Sequence, residues 1–375
     1  MKLSFNRPQL KRFLTVFPLA NGGWGIRGGD EDITQIRAKS EQASAAISEV
    51  LSLLTGQYDQ TTLLNILQQR QIDPSTAIAL LQHLDKCTLL EEGHSYSRAS
   101  DLPNAHQNQL LFFSRFATDG GHAMQNKLNN AHVAIIYSHG VGTAMISLLQ
   151  RSGIGSISVF CENQDDITTL QNTWPAQPDS DSLVTFYPLD RQQLFPNAFQ
   201  SLPVQDQPNL LIVCRDAQDP ALCETINQYA LTHGLAWLLV QVDNHQLVCI
   251  GPLFLPGDSA CYNCYQGRIL ANLQFPDEYR DFQNHLRQQQ TTVQAVGLTA
   301  QFEMIAGVAV TETIKWLTQY NDANLVGRLL ILDSDTWSSQ IHDVLRLPHC
   351  QCRVTGPSHF PWKEANYAKR LGSQS

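Results

Sequence analysis

Two short cysteine pairs constrain this chain more than any other feature. Cys261 and Cys264 close the run Gly251-Pro-Leu-Phe-Leu-Pro-Gly-Asp-Ser-Ala-Cys-Tyr-Asn-Cys264, and Cys350 and Cys352 follow far downstream with one residue between them. Four thiolates arriving as two close pairs suit a tetrahedral zinc ion, because a short spacer lets one turn present two sulfurs roughly 4 Å apart. A site closed by four sulfurs leaves no position for a substrate, so one structural zinc per chain is expected, stapling two remote segments. The competing interpretation is two unrelated pairs of free thiols. His349, beside Cys350, is an alternative fourth ligand.

Composition narrows the class. The nine cysteines are odd in number, and Cys87, Cys161, Cys214 and Cys249 lie in apolar runs, so disulfides are not their expected use. No N-terminal stretch reads as a signal peptide and no apolar run approaches a membrane span, which sets the expectation of a cytoplasmic protein without a membrane partner. With 375 residues, 43% of them hydrophobic, the chain should fold as two or three domains. A net charge of −9 with no basic stripe excludes a nucleic-acid surface, which needs clustered Lys and Arg to displace counterions from phosphates.

Residues 1–98 read as a small α+β unit. Alternation around Phe13, Val16 and Phe17, then Trp24 to Arg27 and Asp32 to Arg37, gives short strands, with Asn21-Gly-Gly-Trp-Gly as a turn. Three helices follow: one capped by Ser40 and ended by Gly56, one starting at Thr61 or Thr62, and one opened by Asp73-Pro74 with Ile78, Leu81 and Leu84 on one side. Strands with three short helices make a winged-helix pattern, usually a DNA-binding unit, but here the third helix carries Lys86 against Asp85 and lacks the charge to lie along phosphates. Residues 99–130 read as a linker and an entry helix.

From residue 131 the pattern changes to α/β. The buried run His132 to Tyr137, the Gly-rich turn Ser138-His-Gly-Val-Gly-Thr-Ala, a helix from Met145 to Ser152 and a strand from Ile154 to Cys161 make a βαβ start. Leu210 to Cys214, Ala236 to Val242 and Leu329 to Leu332 supply later strands, so a doubly wound, mostly parallel sheet is expected. The turn keeps Gly140 and Gly142, but Met145 fills the third glycine position, and Cys161 stands where an acid would hold a ribose. No Lys or Arg lies between Arg151 and Arg191 to neutralise a triphosphate, so ATP is not expected to bind.

Several of these segments carry a resemblance. Gln125-Asn-Lys-Leu, the Gly-rich turn, Cys214-Arg-Asp-Ala-Gln-Asp219, the Gly251 to Cys264 run and Met304-Ile-Ala-Gly-Val-Ala-Val-Thr-Glu312 resemble the ThiF or ubiquitin-activating-enzyme-like fold. With Leu53-Leu-Thr-Gly-Gln-Tyr in the first domain, nearly the whole chain is similar to the leader-peptide-binding partner of YcaO cyclodehydratases, which serve biosynthesis of thiazole- and oxazole-modified ribosomal peptides (bacteriocins among them). That resemblance implies a winged-helix peptide recognition domain (1–98) and a degenerate ThiF-like domain (131–375). In the latter, Gly140, Gly142 and Asp219 are vestiges of a nucleotide site, and Asp219 stands without the basic residues it would work with. It also implies a separate, non-catalytic subunit, with a precursor peptide, a YcaO protein and a flavin-dependent azoline dehydrogenase as partners, and a homodimer. Many relatives have a second CxxC where this chain has Cys350-Gln-Cys352.

The expected capture is strand addition: an extended leader pairs near Ile33 and Ile36 and buries apolar side chains beside Ile78, Leu81 and Leu84. Those residues could equally be the domain's own core. The rival function is an ATP-dependent enzyme that adenylates a peptide or carrier-protein C-terminus through Asp219. Scattered histidines show no i, i+4 metal spacing, and adjacent Ser138 and His139 lack the third partner of a nucleophile and base. The apolar run Val293 to Leu317, broken only by a few polar residues such as Glu303 and Glu312, exceeds what one helix face needs and suggests a pairing surface.

Overall fold

A computed structural model describes residues 5–20, 22–29, 33–93, 104–174, 183–191, 207–216, 218–242, 247–289, 297–350 and 352. Asn21, Asp32, residues 99–103 of the expected linker, Ala217, and residues 293–296 of the apolar run lie outside them. The chain folds as two compact units, Met1–Asn126 and Lys127–Ser375. No helix among the described residues is long and apolar enough to cross a membrane.

In the first unit, β1 (Pro8–Leu10) pairs antiparallel with β5 (Leu90–Glu92). β2 (Thr15–Pro18), β3 (Trp24–Arg27) and β4 (Ile33–Ile36) form an antiparallel sheet in that order. Helices α1 (Glu41–Leu53), α2 (Gln60–Gln69) and α3 (Pro74–Lys86) follow. Each starts at a side-chain cap that satisfies a free backbone N–H: Ser40 accepts from Ala43, Asp59 from Thr62 and Asp73 from Thr76. Asp59, not a threonine, therefore opens α2. The apolar stripes of the helices (Val50, Leu63, Leu67, Ala77, Leu81, Leu84) meet Ile26, Ile36 and Leu90 in one core. Truncating any of the fully buried leucines to Ala should cost about 2–5 kcal/mol. Helix α4 (Asn104–Ser114) follows, and α5 (His122–Asn129) carries the boundary between the units.

The second unit is a mixed α/β fold with a largely parallel sheet. Strands β6 (His132–Ile136), β7 (Ser156–Cys161), β8 (Leu183–Pro188), β9 (Leu210–Arg215) and β10 (Trp237–Val242) run parallel. Three antiparallel strands extend it, β11 (Leu247–Phe254), β12 (Arg328–Asp333) and β13 (Ser338–Asp343), giving the order β13-β12-β11-β10-β9-β6-β7-β8. Crossover helices are α6 (His139–Arg151), α7 (Gln164–Thr173) and α8 (Pro220–His233); α9 (Tyr262–Asn272), α10 (Pro276–Gln289) and α11 (Thr299–Thr318) come later.

Because side chains alternate along a strand, Ala134, Ile136, Leu211, Val213 and Leu239 share one face and pack with α8 residues Leu222, Ile226 and Ala230 and with Tyr262 and Tyr265 of α9. α11 packs against α6. Its Ile305, Ala306 and Ala309 are buried within the unit, while Leu298, just before the helix, is 69% exposed. Helix α6 begins at His139, six residues before Met145, so both glycines of the turn lie in its first turn. β6 sits between β7 and β9, so the chain order reverses there, and the crevice beyond the C-terminal strand ends is where such folds bind ligands.

Candidate functional site

Three places gather the chemistry: the crevice, the cysteine cluster and the outer edge of β4. In the crevice, the ends of β6 and β9 converge. The Gly140 N–H at the start of α6 donates to Asp216 Oδ2 at 3.0 Å, and the Asp216 N–H donates to Ser138 Oγ at 3.1 Å. A backbone N–H at a helix start would ordinarily face an anion; here the protein's own carboxylate already accepts from it. The second Asp216 oxygen is buried without a hydrogen-bond partner among the described residues. A Cβ on Gly140 would stand 2.8 Å from the Phe302 ring of α11, and one on Gly142 would stand 2.7 Å from the Tyr137 ring. A Cβ at either position would therefore have to displace the ring lying against the turn. His139 Nε2 pairs with Asp166 Oδ1 at 2.8 Å, adding a second acid near the same helix start.

Asp219 is not without basic partners, which corrects the sequence expectation. Its Oδ2 lies 2.7 Å from Arg215 and 2.8 Å from Arg191, while Oδ1 accepts the Leu222 N–H at 3.1 Å and so caps α8. Glu162 closes the set, 2.9 Å from Arg215 and 2.8 Å from Arg191. Burial acts to raise the Glu162 pKa, but the two guanidiniums outweigh it and hold the carboxyl below its ordinary value. Burial likewise acts against charged Arg191, yet Glu162 and Asp219 leave it above its usual value. Two acids and two guanidiniums neutralise one another, so a triphosphate would have to break pairs buried around Arg215 and Asp219. Removing one partner of such a pair typically costs about 3–5 kcal/mol. The i, i+4 spacing of Arg215 and Asp219 could have signalled their pairing; nothing local ties Arg191 to Glu162 or Phe302 to Gly140.

The cysteines do come together. Cys261 caps α9 and Cys264 sits in its first turn. Their sulfurs are 3.8 Å apart, with Cys350 Sγ 3.5 Å from Cys261 Sγ and Cys352 Sγ 3.6 Å from Cys264 Sγ. All four lie within 4.8 Å of one another, compatible with a metal ion; His349 is exposed and is not in the cluster. Zinc–sulfur bonds of about 2.3 Å put the edges of a tetrahedron near 3.8 Å, so the geometry and the soft thiolate set both fit. In the absence of a cation, burial pushes the Cys261 thiol well up and the Cys352 thiol to about 11; a positive ion would reverse that. The Leu347 N–H points at Cys264 Sγ at 3.3 Å. Arg346 donates to the carbonyl oxygens of Ser259 (3.0 Å) and Gly257 (2.5 Å), tying the two cysteine segments together.

At β4 the residues named from sequence divide. Among the described residues the strand pairs with β3 alone, and its other edge has no sheet partner. Ile33 is 46% exposed and Ile36 only 8%. Three positions apart on a strand, they point to opposite faces, so one peptide side chain cannot meet both. Leu81 and Leu84 are fully buried in the core and expose no surface for a ligand, and Ile78 is half-buried. The cavity nearby lies instead beside α1: a groove of about 500 Å³ lined by Trp24, Ala38, Lys39, Ser44, Ala45 and Ser48. Trp24 is fixed there by its indole N–H to the Ser44 carbonyl at 3.2 Å.

No known family profile and no curated protein sequence matches the chain. Solved structures do. The microcin C7 biosynthetic enzyme MccB in complex with N-formylated MccA aligns at TM-score 0.63 and 16% identity, covering 92% of this chain and 99% of that one. E. coli MccB with ATP aligns at 0.60 and 17%, with the same coverages. The heterocyclase TruD aligns at 0.64 and 17% over 92% of this chain and 42% of its own.

Proposed function

We propose that this chain, which shares the fold of MccB and of part of TruD, binds the leader of a ribosomal precursor peptide and presents its core to a YcaO cyclodehydratase. The observation that carries this reading is the free edge of β4. An extended leader would add a strand there through main-chain hydrogen bonds and place one face of side chains near Ile33 and Gln35 and the other near Thr34 and Ile36, with a bulky anchor in the groove beside Trp24. In this reading, Met1–Asn126 contains a winged-helix peptide clamp. One structural zinc, held by Cys261, Cys264, Cys350 and Cys352, would fix the C-terminal segment to α9. That MccB has been solved with its peptide MccA and that TruD is a heterocyclase supports a role in peptide modification. Titration calorimetry of the full chain with the leader of a candidate precursor tests it: micromolar or tighter binding without nucleotide is expected, and no binding contradicts it.

The second reading is adenylation of a peptide C-terminus, favoured by the retention of Asp219 at the crevice and by the MccB structure containing ATP. The occupied Gly140 N–H and the neutralised Arg191 and Arg215 weigh against it. Pyrophosphate exchange dependent on ATP and peptide decides between the two.

A further inference from the structure

We propose that Cys350 is a site of oxidative modification, where a hydroperoxide joins it to Cys261 and exchanges the metal staple for a covalent one. Only the metal's part in this exchange depends on the zinc reading; the sulfur spacing does not. Three of the nine cysteines are half-buried, Cys87, Cys249 and Cys350, and of these Cys350 alone belongs to the sulfur cluster. The other cluster thiols are buried, Cys261 at 3% exposure, Cys264 at 0% and Cys352 at 5%. An oxidant reacts with a thiolate it can reach, and a thiol beside a metal ion stays deprotonated, so attack falls on Cys350. The sulfur placed to complete the reaction is in the other segment: Cys261 Sγ stands 3.5 Å away. Cys352 Sγ faces Cys264 Sγ at 3.6 Å, and Cys264 Sγ also accepts the Leu347 N–H at 3.3 Å. Residues two apart, such as Cys350 and Cys352, could join only through a tight, strained ring.

The Cys350 thiolate attacks the terminal oxygen of the hydroperoxide. An S–O bond forms, the O–O bond breaks, and the departing alkoxide takes a proton from water. The Cys261 thiolate then attacks the sulfenic sulfur, an S–S bond forms and hydroxide leaves. The two sulfurs together lose two electrons, and the hydroperoxide gains them, ending as an alcohol and hydroxide. A metal ion deprived of two of its four thiolates is released. Because Cys261 and Cys350 lie 89 positions apart, the new bond closes a long loop and keeps the C-terminal segment on α9 after the metal has gone. A disulfide within either cysteine pair would instead let that segment go.

Full-length protein, purified with reductant and then freed of it, is treated with an equimolar amount of tert-butyl hydroperoxide. Alkylation of the remaining thiols and peptide mapping, with fragmentation that separates Cys261 from Cys264 and Cys350 from Cys352, should recover Cys261 joined to Cys350 while Cys87 and Cys249 stay free. A chromogenic chelator should read one zinc released per disulfide, and a thiol reductant should restore zinc binding. The oxidised protein should melt above reduced protein stripped of its metal. The double variant Cys87→Ser/Cys249→Ser should form the same link at the wild-type rate. Metal analysis before oxidation judges the zinc reading separately: protein without zinc would refute that reading, while the peptide map would still decide the modification. Links within either cysteine pair or through Cys264 and Cys352 alone, earlier oxidation of Cys87 or Cys249, zinc retained after the link has formed, or an oxidised protein no more stable than the stripped one would each overturn the assignment.

Discussion

The two units differ in what their main chain leaves open. In the first, β4 has one edge paired and, among the described residues, the other without a sheet partner, beside a groove fixed by Trp24. In the second, the turn that could have offered its backbone to a phosphate offers it to Asp216, with the Phe302 ring lying against Gly140. A glycine-rich turn between strand and helix therefore does not by itself identify an anion site. What matters is which group the N–H already serves, and the sequence does not disclose that when the partner lies on another strand.

The largest expected effect tests how separate the two units are. Cys264→Ser should release one zinc per chain and destabilise Lys127–Ser375 by several kcal/mol, because a structural site contributes its binding energy to folding. Calorimetry should show the transition of Met1–Asn126 unmoved; a common shift of both transitions would break the comparison. Metal analysis of wild-type protein without zinc would remove its basis.

Next in size is the loss of capture at the open edge. Successive N–H groups on a strand alternate in direction, so of Thr34→Pro and Gln35→Pro one removes a donor facing away from β3. That variant should weaken leader binding by at least about tenfold, or ~1.4 kcal/mol, with little change in melting temperature. Ile36 is a poor place for this test because its side chain belongs to the core. Equal loss of folding and binding in both variants would mean that β4 is not a docking edge.

A smaller effect probes the closed turn. Gly140→Ala should cost about 1–3 kcal/mol through the clash of its Cβ with Phe302, and Phe302→Ala should relieve most of that cost in a double-mutant cycle. Denaturant midpoints measure it. Additive costs would show that the glycine serves something other than this packing.

The smallest effect is in acid. The folded Glu162 pKa lies below its ordinary 4.5, so its contribution is fully present above pH 4.5 and is lost as pH falls through the depressed value. Glu162→Gln should flatten the acid limb of the stability curve of the second unit; an unchanged limb would mean that the Arg191 and Arg215 pairs add nothing.

Legibility in the sequence followed the range of each interaction. The caps Ser40 and Asp73, four of the five parallel strands (β6, β7, β9 and β10) and the cysteine pairs were readable because period, spacing and cap chemistry are local; β8 was not. β11 was not, since Gly251-Pro252 interrupts its apolar run and reads as a loop. β13 was not, since a strand exposed along its length has no hydrophobic alternation. The ion-pair set of Glu162, Arg191, Arg215 and Asp219 is assembled across three strand ends, and only its i, i+4 member lies close in sequence. Ile33 and Ile36 look alike as letters but occupy opposite faces, and Leu81 and Leu84 served the core.

Hydrogen exchange followed by mass spectrometry, on the full chain with a precursor leader and separately with Mg-ATP, tests the contrast in one measurement. The account predicts slowed exchange at residues 33–36 with the leader and no change at residues 138–142 with ATP. Protection of 138–142 by ATP, with residues 33–36 indifferent to the leader, would contradict it.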